Sequence, residues 1–278
     1  MPSDVKVANY AAAFVDILGQ RDALRGCGLI PSSKEELLAL VKESIGAISR
    51  LHCWFDKFYG ESQRPPNSNL VRPDQREEFI RQQKTELKYQ RFSDGLVGYV
   101  SLATDVSVPM NGVYALIGAA GSLCFISLAA RQPIRGGIEI AWGAELNENE
   151  LYGCVVAKSY ELESRVARYP RIALGSELVR YLDQHERVPG DDPESEYVRQ
   201  LSTICKELII VYDDGVPSVH YLGQGFRNYV SCDQHPALHR DAAQFVAAQL
   251  ARWTERGDEK LAGRYRELHA YFERYPPF

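Results

Sequence analysis

The stretch "AAAFVDILGQRDAL", residues 11–24, decides how the chain is read. Ala11 to Val15 are five consecutive apolar residues, the pattern of a short strand buried on both faces. A carboxylate follows at once, and then Gly19 and a polar turn. Buried strands exclude carboxylates except where the strand leaves the core. Asp16 at such an exit has two readings: it caps a following helix, or it is placed for chemistry. The segment alone leaves both open, so a second carboxylate must choose between them.

That residue lies in "ELKYQRFSDGLVGYVSL", residues 86–102, which alternates apolar and polar side chains around Ser93-Asp94-Gly95. The pattern predicts a β-hairpin with Asp94 at its tip. Between the two strands, "SSKEELLALVKESIGAISRLHCWFDKFY" spaces Leu37, Leu38, Val41, Ile45, Ile48 and Leu51 at helical intervals. It predicts one long amphipathic helix, with Ser32 or Ser33 as N-cap and Glu35 and Glu36 in the first turn. Residues 60–83, with Pro65, Pro66 and Pro73, read as a loop or weakly helical excursion.

Further on, a helix is expected from about Pro109 to Arg131, followed by a strand in "PIRGGIEIAWGAEL". "YGCVVAKSYELESRVARYP" reads as a helix ending before Pro170, "RIALG" as a short strand and "SELVRYLDQH" as a helix. Residues 188–196, "VPGDDPESE", read as a polar linker, and "LIIVYDDGVPSVHYLG" as a second hairpin around Asp214-Gly215. From Ala237 to Tyr275 two helices are expected, parted near Gly257. The order β-α-β-β-α-β, then α-β-α and a hairpin, predicts an α+β fold: a ferredoxin-like, split βαβ antiparallel sheet with helices on one face and a C-terminal hairpin and helices added. One domain is expected over 1–278, its core at about 8–187 and its C-terminal additions at about 196–275.

Composition narrows the function. A chain of 278 residues can bury a large core. A net charge of −5 argues against nucleic acid or anionic membrane as the main partner. Six cysteines, Cys27, Cys53, Cys124, Cys154, Cys205 and Cys232, stand singly without a C-x-x-C pair, as expected of reduced thiols. The longest apolar stretch, Val113 to Ala130, is broken by Gly118, Gly121, Ser122 and Ser127 and reads as a buried helix. The expectation is a soluble, cytoplasmic protein acting without nucleic acid or membrane.

In the β-α-β-β plan the first strand and the hairpin are neighbours, so Asp16 and Asp94 converge. Two carboxylates at close range repel unless a cation lies between them, and hard oxygen ligands suit Mg²⁺ or Mn²⁺. Two such ions serve in-line phosphoryl transfer. The Ile17 carbonyl completes the expected ligand set, and the backbone of Leu18, Gly19 and Gln20 is expected to cradle a triphosphate.

These residues resemble a known family. "FVDILG" resembles the metal-binding strand and turn of class III nucleotidyl cyclases, "FSDGLV" their metal-binding hairpin, and "IRGGIEIAWG" their R-x-G-I strand. With "SYELES", "YPRI" and "VYDDGVPSVHYLG", the chain is most similar to the pyrimidine cyclases of the bacterial Pycsar antiphage system, over most of residues 8–275. The resemblance implies conversion of UTP, or alternatively CTP, to a 3',5'-cyclic monophosphate and pyrophosphate. It implies two metal ions on Asp16 and Asp94, active sites at the interface of a head-to-tail homodimer, and a separate effector that responds to the product.

The chain departs from the purine cyclases of that family. Aligning on Gly153 puts Ala157 and Glu161 where those enzymes carry an asparagine and an arginine. Arg135, Lys158, Arg165 and Arg91 are the candidates to supply the missing positive charge, Arg135 being taken as the catalytic one. Gln90 replaces an adenine-reading lysine, and Glu150 falls where an acidic base-reading residue would sit. Gln90 suits a pyrimidine edge and equally an ordinary surface strand. A cyclase-like module that binds nucleotide without turning it over is the rival reading. Other signals have plainer explanations: His235 and His239 a solvated helix start, His52 and Cys53 a core-facing helix end, Asp213 and Asp214 turn chemistry, and 252–269 a solvated helical face.

Overall fold

The computed structural model describes residues 5–19, 29–62, 72–77, 80, 85–92, 94–103, 108–147, 149–227 and 235–277, except for the side chain of Glu43. The strands are β1 (Lys6–Ile17), β2 (Lys88–Arg91), β3 (Gly95–Ser101), β4 (Ile134–Asn147), β5 (Glu150–Tyr152), β6 (Ile172–Leu174), β7 (Ile209–Val211) and β8 (Pro217–Val219). They form one sheet in the order β2-β3-β1-β4-β6-β8-β7, with β5 folded back on β4. The expected β-α-β-β-α-β core is present: β1 runs antiparallel to β3 on one side and to β4 on the other, and β2 is antiparallel to β3. The fold is α+β.

The alanines of β1 set its place at the centre. Tyr10 to Val15 are buried on both faces, and three consecutive small side chains let helices approach the sheet from either side. Ala11, Ala13, Val15 and Ile17 face the main core, under α2 (Gly46–Ser62) and α3 (Met110–Ala129). Tyr10, Ala12 and Phe14 face a smaller cluster with Val97, Tyr99, Leu151 and Val155. Val155 belongs to α4 (Cys154–Glu161), which continues as a π-helical turn over Leu162–Ala167. The expectation of helices on one face is therefore corrected. An alternating strand buried on both sides needs cover on both.

A second correction concerns strand direction. β6 pairs with β4 in parallel, Gly136 opposite Ile172 and Ile138 opposite Leu174. The α4 crossover returns the chain to the end of the sheet from which β4 started, the ordinary consequence of a βαβ connection. The hairpin β7–β8 then adds antiparallel through Ala173 and Ser218. Buried Glu139 of β4 accepts hydrogen bonds from the backbone N–H groups of Ile140 (2.9 Å) and Leu178 (3.0 Å), tying β4 to the first turn of α5 (Ser176–His185).

The long amphipathic helix is interrupted. Ser33 caps α1 (Lys34–Leu40), accepting from the Glu36 N–H at 3.2 Å, and a π-helical turn over Val41–Ile45 leads into α2. The turn shifts the phase of the apolar stripe, so Leu38 and Ile45 are 58% and 60% exposed while Ala47, Leu51, Phe55 and Tyr59 are buried. Of the excursion at 60–83, Gly60–Ser62 still belong to α2 and Pro73–Gln75 make a short 3-10 turn.

The polar linker is also shorter than expected. Asp192 caps α6 (Pro193–Glu207), accepting from the Ser195 N–H at 2.9 Å with Pro193 in the first turn. Tyr197, Val198, Leu201 and Cys205 bury its inner face. Beyond β8 come α7 (Gln224–Arg227), α8 (His235–Glu255) and α9 (Glu259–Arg274), parted at Gly257 as expected. His235 and His239 are 3% and 5% exposed and face the core, so they are no solvated helix start. The His239 ring meets the Tyr275 carbonyl at 2.9 Å, and the His235 ring packs on Phe125. Cys53, expected to face the core, is exposed.

Helix α3 is long and apolar enough to cross a membrane, but 83% of its most apolar window is buried inside the protein.

Candidate active site

The site forms where β1 leaves the sheet. Asp16 is opposite Gly95 on β3 and opposite Arg135 on β4. A Cβ on Gly95 would lie 2.4 Å from the Val15 carbonyl oxygen, so only glycine lets β3 start this close to β1. That approach sets Asp94, one residue earlier, beside the strand exit. The Ile17 N–H donates to the Asp94 carbonyl at 3.2 Å, and the Leu18 N–H to the Pro133 carbonyl at 2.9 Å. Leu18 and Gly19 turn the chain away, with Gly19 at φ 88°. Gln20, the last residue expected in the phosphate cradle, lies outside the described residues.

The charges around this exit act on one another. Burial, above all, pushes the Asp16 carboxyl up to about 7, with the negative charges of Asp94 and Glu163 adding to it and Arg135 opposing. Arg135 Nη2 is 3.9 Å from Asp16 Oδ2, and its Nε is ion-paired with Glu163 Oε1. Glu163 belongs to the π-helical turn after α4, and its side chain is 2% exposed. Burial also raises the Glu163 carboxyl, against the pull of Arg135.

Among the four candidate cations, Arg135 is the one that comes within ion-pair range of Asp16, at 3.9 Å. Arg165 is largely exposed and paired with Glu161 at 2.8 Å. Arg91 stacks over the ring of Tyr89, 5.1 Å from its centre. Lys158 acts on Glu139. Glu163 was missed in the sequence, where it stands in "SYELES" as one more acid on a helix; its burial depends on a partner 28 positions earlier.

Two hollows lie along the strands that lead to the carboxylates, and neither Asp16 nor Asp94 lines them. Gln90 of β2 is opposite Val97, and Val97 is opposite Phe14, two residues before Asp16 on the same face of β1. Gln90 lines a hollow of about 400 Å³ with Leu87, Lys88, Tyr89, Arg91 and Asn149. Its buried Oε1 has no hydrogen-bond partner among the described residues. Glu150 is exposed beside that hollow's Asn149 and accepts from Asn147 Nδ2 at 2.5 Å. The second hollow, about 370 Å³, is walled by Phe14, Phe92, Tyr160, Leu151, Val156 and Ala157. Phe14 packs on both Phe92 (5.5 Å between ring centres) and Tyr160 (5.2 Å). Ala157 thus contributes apolar wall where the resemblance would have had an amide.

Two hard carboxylates beside a backbone carbonyl are a donor set for a divalent cation that keeps water and phosphate oxygens in its shell. No group of three or more His, Cys, Asp or Glu side chains is placed to hold a metal among the described residues.

No family model matches this chain, and no curated protein does. Among solved structures it is similar to the catalytic core of a rhodopsin-guanylyl cyclase with converted specificity, in complex with ATPαS. The identity there is 14%, over 65% of this chain and 84% of that one, with a TM-score of 0.42. It is also similar to a class III adenylyl cyclase-like ATP-binding protein from Pseudomonas aeruginosa, at 11% identity over 72% of this chain and 41% of that one, with a TM-score of 0.36. Neither likeness assigns a role to any residue here.

Proposed function

We propose that this chain is a nucleotidyl cyclase that converts UTP to 3',5'-cyclic UMP and pyrophosphate, a second messenger of antiphage defence; CTP is the alternative substrate. The observation that carries the reading is the convergence of Asp16 and Asp94 at the exit of β1, with Arg135 close by. In the reaction the substrate's 3'-hydroxyl oxygen bonds to the α-phosphorus, the bond to the β-phosphate oxygen breaks, and pyrophosphate leaves with its electron pair. The hydroxyl proton passes to water.

Asp16, Asp94 and the Ile17 carbonyl would hold Mg²⁺ or Mn²⁺, which lowers the pKa of the attacking hydroxyl and neutralises the leaving phosphate. Arg135 adds a fixed positive charge toward the phosphates. The backbone N–H groups of Gly19 and Gln20 would serve the triphosphate tail, that of Leu18 being engaged by the Pro133 carbonyl. Gln90 carries an amide oxygen in search of a donor, which supports its reading a pyrimidine edge, with Glu150 nearby. Trp142, Tyr152 and Tyr160 are 50%, 65% and 53% exposed around the aromatic hollow. So much exposed aromatic surface supports a homodimer closing over the site. The product acts through a separate effector.

The test is incubation with Mn²⁺ and each of the four ribonucleoside triphosphates, with cyclic product read by mass. Cyclic UMP or cyclic CMP is expected; turnover of ATP or GTP alone overturns the pyrimidine assignment. The rival, a module that binds nucleotide without chemistry, draws on Ala157 and Glu161 standing in place of the amide and guanidinium. It would be favoured by calorimetry showing metal-dependent triphosphate binding and no product with any metal.

A further inference from the structure

The charged cluster at the β1 exit contains a residue with no part in the reaction as described. Glu163 is 1% exposed, and a buried carboxylate is costly unless a cation meets it. Arg135 meets it, and the two contacts of that guanidinium are unequal: Nε is ion-paired with Glu163, while Nη2 only approaches Asp16 at 3.9 Å.

The support behind Glu163 is built for placement. A Cβ on Gly137 of β4 would lie 2.3 Å from Leu162 Cβ, 2.6 Å from the Ser159 carbonyl oxygen and 2.9 Å from the Glu163 nitrogen, so the turn presses directly on the strand that carries Arg135. The other end of the turn is clamped by Arg171, which donates to the carbonyls of Ala167 (3.0 Å) and Val166 (2.8 Å). Its guanidinium also grips Asp214 through Nη1 (3.1 Å) and Nη2 (2.6 Å). π-Helical turns inside helices recur at functional sites.

We propose that Glu163 is a positioning residue that draws the Arg135 guanidinium away from Asp16, keeping that carboxylate open to a divalent cation. This rests on the cyclase reading. Besides Glu163, Asp16 is the carboxylate seen within ion-pair range of Arg135 among the described residues, and a closed Arg135–Asp16 pair competes with metal for the same oxygens. Glu163 thus acts through Arg135 and touches neither metal nor substrate.

The experiment is Mn²⁺ binding to the full-length protein, followed by the electron paramagnetic resonance of free Mn²⁺. Thermal unfolding of the same samples confirms that each variant is folded. Glu163→Gln is expected to weaken Mn²⁺ binding roughly 10- to 100-fold, the range for residues that orient a metal site from behind its ligands. Removing the competing guanidinium as well, in Glu163→Gln with Arg135→Gln, is expected to restore most of the affinity. A merely structural role would not produce that rescue. Glu163→Asp keeps the charge and covers the case in which Glu163→Gln fails to fold: it is expected to retain Mn²⁺ affinity close to wild type, and an affinity lowered as much as about 100-fold that Arg135→Gln does not restore would overturn the inference.

Unchanged Mn²⁺ affinity in Glu163→Gln, or a double variant as weak as the single one, overturns the inference while leaving the cyclase reading standing. A wild-type protein that binds no Mn²⁺ removes both.

Discussion

At the scale of single residues, the carboxylates proposed for chemistry differ from those spent on structure. Asp94 stands at a hairpin tip, its backbone carbonyl accepting from Ile17 and its side chain facing Asp16 electrostatically. Asp94→Ala is therefore expected to abolish Mn²⁺-dependent cyclic-nucleotide formation. Because a tip residue contributes little to the core, unfolding stability is to stay within about 1 kcal/mol of wild type in urea. Wild-type turnover would end the metal role.

Arg171 is the opposite case. It is fully buried between the rings of Tyr169 and Tyr212, 4.5 and 5.4 Å from their centres, and paired with Asp214. Arg171→Met strands Asp214 and two backbone carbonyls, and a loss of roughly 3–5 kcal/mol is expected in urea denaturation. A loss below 1 kcal/mol would show that the pair carries no structural weight. Asp214, read from the sequence as plain turn chemistry, thus holds the C-terminal hairpin to the turn that carries Glu163.

At the scale of elements, the helix after β1 shows how far periodicity reaches. The spacing of Leu37, Leu38, Val41 and Ile45 reads as a buried stripe, yet the π-helical turn over Val41–Ile45 rotates that stripe off the sheet. Only the part from Ala47 onward packs. Leu51, 2% exposed, is expected to cost roughly 2–5 kcal/mol when replaced by Ala. Leu38→Ser is expected to change stability by no more than about 0.5 kcal/mol. Equal losses for the two, measured in urea, would mean that α1 is packed after all.

Helix α6 was legible and overlooked. Asp192-Pro193 is a cap followed by proline in the first turn, and Tyr197, Val198, Leu201 and Cys205 repeat at helical spacing behind it. The strands, by contrast, declared themselves: β1 by its unbroken apolar run, and β2–β3 and β7–β8 by the Asp-Gly turns between them.

At the scale of the whole molecule, one buried cluster runs from Ala11 on β1 to Phe272 on α9, and Gly121 of α3 lies against Phe226 and Val219. The C-terminal elements therefore share a core with the strands that present the carboxylates. His220 sits in that shared region, its Nδ1 2.9 Å from the Tyr271 hydroxyl and its ring 4.4 Å from that of Tyr275. Burial, with help from Arg274, pushes its pKa down to about 4.

The sign follows from that depression. Below an ordinary histidine pKa near 6.5 the unfolded chain takes up a proton that the folded chain refuses. His220 therefore favours the folded state fully above about 6.5, and the advantage is lost as pH falls toward 4. His239, lowered by burial, acts in the same direction. Asp16, raised to about 7, takes up a proton in the folded chain over the same range and opposes the histidines, so the expectation is a difference: between pH 7 and pH 5 the urea midpoint of wild type shifts downward relative to that of His220→Asn. Equal slopes for the two proteins would exclude His220 as the cause.

The sequence alone determined the order of the core strands and most of the helices, though not β5 or α6, because strand alternation, helical spacing and turn residues are local properties of neighbouring side chains. It also singled out Asp16 and Asp94, since a carboxylate at the end of an apolar run is conspicuous wherever it occurs. Only the tertiary structure decided that β6 runs parallel to β4, that α4 covers the second face, and that Glu163 and Arg171 are buried. Whether a charged side chain is buried depends on a partner far away along the chain, and no local pattern records where that partner comes to rest.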